Sequence, residues 1–375
     1  MKISLSILIG GLSGGGAERV ACNLANYLCN NGYTVEIVTM SDDTPTYQLD
    51  ACVKRCILLR KEERKDFFHN CWVRWSRLKK YVKSSDTQGY LVMLPITTAF
   101  LLALHKYIRV PIIVAERNDP ARTPKLIWAL LTRLFKYANG FVFQTQDAQN
   151  YYAPYLKSKP SLVIPNAINP AFIRDVHTEN RKKQIVAIGR FTKQKNFMLL
   201  LRAFATIHKE FPQYQLTIYG QGEQRATLEH FIIEHNLEGA VSLPGYVKDI
   251  PQQLLEPSVF VLSSDYEGMP NALMEAMASG LACISTDCPC GGPRFLIKEG
   301  ENGLLVPVGD QTALENALRR VLADDTLRQK LGANATRIQR KLSSEIIYKK
   351  WEEFIELVIE KNIRSLNQHP HNVSE

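Results

Sequence analysis

Ile3-Ser4-Leu5-Ser6-Ile7-Leu8-Ile9-Gly10-Gly11-Leu12-Ser13-Gly14-Gly15-Gly16-Ala17-Glu18-Arg19 opens the chain and decides its fold. Ile3 to Ile9 is an apolar run of the kind that forms a parallel strand covered on both faces. Gly10 to Gly16 is a glycine-rich turn. Ala17 then opens a helix, with Val20, Leu24 and Leu28 four residues apart on one face. Asn31-Gly32 ends it, because glycine takes the left-handed position past a helix cheaply. Val35 to Thr39 reads as the next strand. The result is a strand–turn–helix–strand unit, the building block of a nucleotide-binding sheet.

The same alternation continues outward. Strands are expected at 89–94, 112–115, 140–144 and 162–164. It then restarts, with strands at 184–189, 215–219, 241–243, 259–262 and 281–286 and helices at 197–211, 223–235 and 271–279. Between the two series lies a stretch with Pro170 and the polar run His177 to Lys183, which suits a linker. Residues 343–366 read as a long helix with an apolar stripe of Ile347, Trp351, Phe354, Ile355 and Val358. The tail beyond Asn367 is expected to fray.

The composition agrees with two α/β domains. The chain has 375 residues, 45% of them hydrophobic and 22% charged, which fits two folded cores and argues against disorder. Met1-Lys2 followed by an apolar run resembles the start of a signal peptide, but the run is short and ends in glycines, so a buried strand explains it better. No stretch is apolar for long enough to span a bilayer; Ala99 to Leu104 comes nearest and stops at His105-Lys106. The eight cysteines form no Cys-x-x-Cys pair, and Cys288-Pro-Cys290 is too tight for the usual zinc knuckle, so they read as reduced thiols. The formal charge of +9 is concentrated between Lys54 and Lys83. Such a patch attracts nucleic acid, anionic lipid or an acidic substrate, or is a solvated face.

Three stretches carry chemistry. The first glycine turn lets backbone N–H groups approach a phosphate at a helix N-terminus, although a plain tight turn has the same composition. It lacks the dehydrogenase register and the Gly-Lys-Ser/Thr of a P-loop. Gly189-Arg190-Phe191-Thr192-Lys193-Gln194-Lys195-Asn196 lies between a strand and a helix, where its cations suit a diphosphate; a solvated loop is the alternative. The most specific is Ser264-Asp265-Tyr266-Glu267-Gly268-Met269-Pro270-Asn271-Ala272-Leu273-Met274-Glu275. Pro270 fits a first helical turn. Glu267 falls in the loop before the helix and Glu275 about a turn and a half along it. The backbone from Met269 through Asn271, Ala272 and Leu273 offers free N–H groups at the positive end of the helix dipole. One carboxylate can accept from sugar hydroxyls and the other from a ribose, while cations and N–H groups hold phosphates.

Together with Gly15-Gly16-Ala17-Glu18-Arg19, Ile164-Pro165-Asn166, Gly220-Gln221-Gly222 and Asn302-Gly303-Leu304-Leu305-Val306, these elements resemble the retaining glycosyltransferases of family 4, over nearly the whole chain. The resemblance implies a GT-B fold, α/β with two facing Rossmann-like domains. Residues 1–167 would form an acceptor-side domain, 168–345 a nucleotide-sugar domain, and 346–375 a helix and tail packing back toward the first. It implies that Gly15 and Gly16 border the donor diphosphate, that Arg190 and Lys195 bind it, and that Gly222 lines the donor site. Glu267 would contact the transferred sugar, Glu275 the ribose, and the backbone of Tyr246 to Asp249, Val247 included, the base. No metal and no resident cofactor are implied; Asp265-Tyr266-Glu267 resembles a metal motif only at a glance. The donor is expected to be a UDP-sugar.

One departure stands out. Where many relatives carry a histidine, this chain reads Ala115-Glu116-Arg117-Asn118-Asp119-Pro120, similar to the Glu-Arg-Asn variant of bacterial cell-surface polysaccharide and glycan-assembly transferases. Glu116, Arg117 and Asn118 are therefore all candidate catalytic residues, with a charged turn capped by Pro120 as the alternative. In the basic segment, Trp72, Trp75, Leu78 and Val82 fall on one side of a helix over 69–83, and Arg74, Arg77, Lys80 and Lys83 largely on the other. That is an interfacial pattern, or a core helix with a basic edge. No nucleic-acid recognition motif accompanies the charge. The expectation is a cytoplasmic enzyme, peripheral at the inner face of an anionic membrane, that moves a hexose or N-acetylhexosamine from a nucleotide sugar to a lipid-linked or growing glycan. A UDP-sugar epimerase of the same fold and a non-catalytic sugar-nucleotide-binding subunit are the alternatives.

Overall fold

The protein, seen as a computed structural model, is described over residues 3–42, 44–176, 179 and 181–368. Part of the expected linker (His177, Thr178, Asn180) and the end of the tail lie outside the described residues. The chain divides into two compact units. One runs to Pro165 and resumes at Ile347; the other is Asn166–Ile346.

The first unit contains a parallel sheet of β1 (Ser4–Ile9), β2 (Thr34–Thr39), β3 (Lys54–Ile57), β4 (Gly89–Met93), β5 (Ile112–Ala115), β6 (Gly140–Phe143) and β7 (Ser161–Val163). Its strand order is β3-β2-β1-β4-β5-β6-β7, with Leu5 of β1 opposite both Val35 and Gly89. β1 is buried from Leu5 to Ile9, as its two-sided apolar pattern requires. β3 was not legible as a strand. It reads Lys54-Arg55-Cys56-Ile57 and lies at the sheet edge, where charged residues are normal.

The second unit contains β8 (Lys182–Ile188), β9 (Gln215–Tyr219), β10 (Val241–Gly245), β11 (Pro257–Leu262), β12 (Ala282–Thr286) and β13 (Leu304–Val306). Their order is β10-β9-β8-β11-β12-β13, all pairs parallel. Both sheets reverse winding direction once, between β1 and β4 and between β8 and β11. Open α/β sheets bind ligands beyond the strand ends at such a reversal. The Gly189–Asn196 loop follows β8 and the Ser263–Pro270 loop follows β11, so the two most specific sequence elements flank the reversal of the second sheet.

The long C-terminal helix, Ser344–Gln368, buries Ile347, Trp351, Phe354, Ile355, Val358 and Ile359, and from Ile347 onward belongs to the first unit. Two glycines at strand starts explain the docking. A Cβ on Gly140 would come within 2.8 Å of Val358 Cγ2, and one on Gly89 within 3.3 Å of Ile359 Cδ1. Tyr33 and Tyr27 donate to Glu356 and Glu352 on the same helix.

Two readings need correction. Cys29 and Cys52 are disulfide-bonded rather than reduced: the end of helix Gly16–Asn30 and the loop before β3 bring their Cα atoms to 6.2 Å, within bridging range. The basic helix, Phe67–Ser84, does not divide into an aromatic and a cationic face. Leu78 and Val82 are buried with Val73, whereas Trp72 is 66% exposed and continues a patch of exposed Phe67 and Phe68. Trp75 is part-covered by Phe100. Arg74 donates to Met40 O and Ser41 Oγ, and Arg77 to Leu58 O and both oxygens of Glu63. These two cations hold the loops beside β2 and β3 in place; Lys80 and Lys83 remain exposed.

Candidate active site

In the second unit the two loops at the sheet reversal are tied together. Asn196 adopts the left-handed conformation (φ 44°) and caps helix Phe197–Glu210 by accepting from Leu199 N; its Nδ2 donates to Asp265 Oδ1 at 2.8 Å. Gln194 Nε2 donates to Tyr266 O, and its own carbonyl accepts from Asp265 N. Between these bonds lies an ion pair, Lys195 Nζ to Glu267 Oε1 at 2.5 Å, with Ser264 Oγ donating to the same oxygen at 2.9 Å. Both partners are largely removed from water, so the attraction is screened far less than at an open surface. Arg190 is exposed on the first loop, and its guanidinium has no hydrogen-bond or ion-pair partner among the described residues.

Helix Asn271–Ala278 begins beside this pair. Pro270 stands at its N-cap, one position earlier than a first-turn proline. The first helical bond is Met274 N to Pro270 O, so the amides of Asn271, Ala272 and Leu273 have no acceptor within the helix. Asn166 steadies this end by donating to Asn271 Oδ1 at 2.8 Å and to Met269 O at 3.4 Å, which gives the Ile164-Pro165-Asn166 motif a physical role. Glu275 is buried on the same helix. The sequence reading missed Gly292. A Cβ there would stand 2.0 Å from Gly268 O, so only glycine lets that segment support the Glu267–Pro270 loop.

Gly222, implied to line the donor site, also has a role in the loop. At φ 157° it packs on the backbone of Phe191, which a Cβ would meet at 2.4 Å, and Gly220 packs on Gly189 O in the same way. These glycines shape the Gly189–Lys195 loop. The Tyr246–Asp249 segment, with Val247, follows Gly245 at the end of β10, and Tyr246 is exposed.

In the first unit, Gly15 is the N-cap of helix Gly16–Asn30, and its carbonyl accepts from Arg19 N. The Glu18 carboxylate lies against this turn: a Cβ on Gly15 would come within 2.1 Å of Glu18 Oε2. The Glu116–Asn118 loop follows β5, whose ladder it extends by Glu116 N to Val142 O. Glu116 is 5% and Arg117 7% exposed, whereas Asn118 is exposed. Glu116 Oε1 accepts from the amides of Arg117 and Asn118, each at 3.0 Å, and Oε2 accepts from the Tyr152 hydroxyl. Burial pushes the Glu116 carboxyl above its usual range, opposed by those three donors. Burial likewise lowers Arg117 to about 10. Its guanidinium lies 5.7 Å from the centre of the Trp351 ring, and Nη1 donates to Ile164 O. Tyr152 carried no signal in the sequence, because it joins the loop across 36 residues.

Two family models match the chain. One described as "Glycosyltransferase Family 4" matches residues 14–172, and one described as "Glycosyl transferases group 1" matches 170–338. A Campylobacter jejuni α-1,4-N-acetyl-D-galactosaminyltransferase, named for a diphospho-undecaprenol-linked acceptor, is 28% identical over 96% of this chain and 99% of its own. Among solved structures, sucrose-phosphate synthase from Thermosynechococcus elongatus superposes with a TM-score of 0.82 at 20% identity, covering 96% of this chain and 100% of that one. Anabaena Alr3699/HepE in complex with UDP gives 0.77 at 15% identity, over 95% and 100%.

Proposed function

The chain is a glycosyltransferase belonging to the group described as family 4 and group 1, and on that premise we propose that it transfers a hexose or N-acetylhexosamine from a UDP-sugar, with retention and without a metal, to a lipid-linked or growing glycan in bacterial polysaccharide, lipopolysaccharide or glycoprotein glycan assembly. The observation that carries this reading is the Lys195–Glu267 pair beside the free amides of Asn271, Ala272 and Leu273, at the reversal of the second sheet. Glycosyl transfer from a nucleotide sugar requires stabilisation of a departing diphosphate. Lys195, Arg190 and the helix N-terminus supply positive charge and donors for it without reorganisation. Lys195 rests against Glu267, so an arriving diphosphate gives it a second anion while Glu267 stays oriented toward the sugar. Glu275 accepts from the ribose. The UDP of the Anabaena structure and the undecaprenol-linked acceptor in the Campylobacter enzyme's name support the substrate classes.

The same reading places the enzyme at the cytoplasmic face of the inner membrane, on anionic lipid. No described helix is long and apolar enough to cross a bilayer. The exposed Phe67, Phe68 and Trp72, with Lys80 and Lys83 on the same helix, supply an apolar anchor beside cations. The test is a screen of UDP-, GDP-, ADP- and CMP-linked sugars, following nucleotide release with membrane extract as acceptor. UDP release dependent on extract is the expected result; turnover with none of the donors would refute the proposal.

A further inference from the structure

Glu267 is held at one oxygen only. Its Oε1 accepts from Lys195 Nζ at 2.5 Å and from Ser264 Oγ at 2.9 Å, whereas Oε2 accepts from no group among the described residues. Ser264 is fully buried and is itself anchored from the end of β12. Thr286 Oγ1 donates to Ser264 O at 2.6 Å, and Cys288 Sγ donates to the same carbonyl at 3.1 Å. Both of these side chains are fully buried as well. Burial pushes the Cys288 thiol up to about 12, so it stays protonated and able to donate. On the other flank, Ser263 Oγ donates to Lys195 O at 2.9 Å. The segment that carries Glu267 is thus tied to the lysine's loop through Ser263 and to β12 through Ser264. We infer that Ser264 is the positioning residue for Glu267, and that Thr286 and Cys288 act through it, fixing the carboxylate so that Oε2 is the oxygen offered to the transferred sugar. This rests on the proposed glycosyl transfer.

The two donors to Oε1 differ in what else they have to do. Lys195 carries three protons on a flexible stem. In the proposed reaction its ammonium is shared with a diphosphate whose charge grows as the bond to the sugar breaks. The Ser264 hydroxyl has a single proton, directed at Glu267, and no part in holding the diphosphate. As Lys195 is drawn toward the diphosphate, the serine bond keeps the carboxylate in place. The terminal torsion of a glutamate is broad, so a carboxylate left with one mobile partner swings. The grip on Ser264 O matters for the same reason, since a backbone shift there carries Oγ and the carboxylate with it. A displacement of about one ångström at a reacting centre costs about 100-fold in rate. If these bonds did no more than satisfy buried polar atoms, their loss would lower stability without selecting turnover over binding.

The test is steady-state kinetics with the donor found active in the nucleotide-release screen, beside a thermal melt. Ser264→Ala is expected to lower kcat about 10- to 100-fold, with donor KM and inhibition by UDP within about threefold of wild type. Thr286→Val removes the hydroxyl and keeps the shape; it is expected to lower kcat severalfold, and Thr286→Ser to return kcat to within about twofold of wild type. Added to Ser264→Ala, Thr286→Val should cost nothing more, because its effect passes through the serine. The inference is overturned if Ser264→Ala keeps wild-type kcat, if its loss lies in KM or in UDP inhibition, or if Thr286→Val costs as much in the Ser264→Ala enzyme as in wild type. Should Ser264→Ala melt below the assay temperature, Thr286→Val against Thr286→Ser decides, because the Cys288 bond to Ser264 O survives both; equal kcat for the two overturns the inference. A wild-type enzyme active on none of the donors refutes the proposed function and this inference with it; an active wild type with an equally active Ser264→Ala refutes the inference alone.

Discussion

Each unit of this enzyme ends a central strand in a loop that opens a helix, and the two helix N-termini are furnished in opposite ways. At Gly15 the carboxylate that meets the turn is Glu18, from the helix's own first turn, a favourable place for an acid. At Pro270 the neighbouring carboxylate, Glu267, is paired with Lys195, and Arg190 stands unpartnered on the adjoining loop. The amides of the second helix therefore look onto paired and unpaired cations among carboxylates, Lys195 and Arg190 with Glu267 and Asp265, and those of the first onto a carboxylate alone. The same strand–turn–helix plan thus carries a cation-bearing loop beside the helix in one unit and a carboxylate against its own turn in the other. Side-chain charge, more than the glycine pattern, separates the two.

The largest expected effect lies at the second N-terminus. Lys195→Ala removes the donor proposed for the departing diphosphate and leaves Glu267 without its cation. It is expected to lower kcat/KM by about 10²–10³, the loss typical of deleting one preorganised donor. Arg190→Ala, at an exposed position, should lose less, and Gly15→Ala least, because the flexible Glu18 side chain can move aside. Steady-state kinetics on the three variants check the order. If Gly15→Ala matches Lys195→Ala, the contrast between the two helix ends fails.

A second set of variants concerns the surface of the first unit. Replacing Phe67, Phe68 and Trp72 with Ser is expected to reduce binding to anionic vesicles at least tenfold at both low and high salt, with little change in melting temperature, since these rings are exposed. Replacing Lys80 and Lys83 with Glu should weaken binding only at low salt, by about 1 kcal/mol for each lost cation. Arg74→Ala and Arg77→Ala should appear in the thermal melt, because both side chains bind the protein itself. Vesicle sedimentation at two salt concentrations, beside a melt, separates the three outcomes. Unchanged sedimentation of the aromatic variant removes the membrane reading.

A smaller effect is expected with pH. Burial raises the Glu116 carboxyl, so it takes up a proton at higher pH than an exposed glutamate does. A proton on Oε2 leaves Oε1 to accept from the two amides but sets a hydroxyl against the Tyr152 hydroxyl that had donated to it, which must turn. The loop then loosens, and kcat is expected to fall severalfold on the acid side. Glu116→Gln cannot titrate and should flatten that limb. A profile whose acid limb survives the substitution assigns it to another group.

What the sequence disclosed follows from distance along the chain. Glu267, Pro270 and Glu275 lie in one strand-to-helix connection and the helix it opens, so their spacing alone placed them, and Arg190 and Lys195 fell in an earlier strand-to-helix connection of the same unit. The apolar stripe of the C-terminal helix was equally legible, since Trp351 and Val358 recur at helical spacing. The roles of Tyr152 and Gly292 depend on contacts with distant residues and left no local pattern, and Asn166 was visible only as part of a motif whose contact with Asn271 lies far along the chain. Arg74 and Arg77 were misjudged for the same reason. Helical spacing put them on a polar face, but their partners, Met40, Ser41, Leu58 and Glu63, were fixed only when β2 and β3 took their places.

The smallest effect expected is that of a chelator, and it bears on how the charge at the second helix N-terminus is supplied. Asp265-Tyr266-Glu267 has the spacing of a metal-binding carboxylate pair. Both carboxylates are already committed: Asp265 Oδ1 accepts from Asn196 at 2.8 Å, and Glu267 Oε1 from Lys195 and Ser264. A divalent ion at this pair would be left with the second oxygen of each carboxylate and would sit against the Lys195 ammonium. In the proposed site, Lys195, Arg190 and the amides of Asn271 to Leu273 would neutralise the diphosphate in place of an ion. Activity in excess EDTA is therefore expected to stay within about twofold of the untreated enzyme, a change too small to remove a Lewis acid from the transition state. If activity collapses in EDTA and returns with Mg²⁺ or Mn²⁺, the diphosphate is held by metal, and Lys195→Ala should then prove mild.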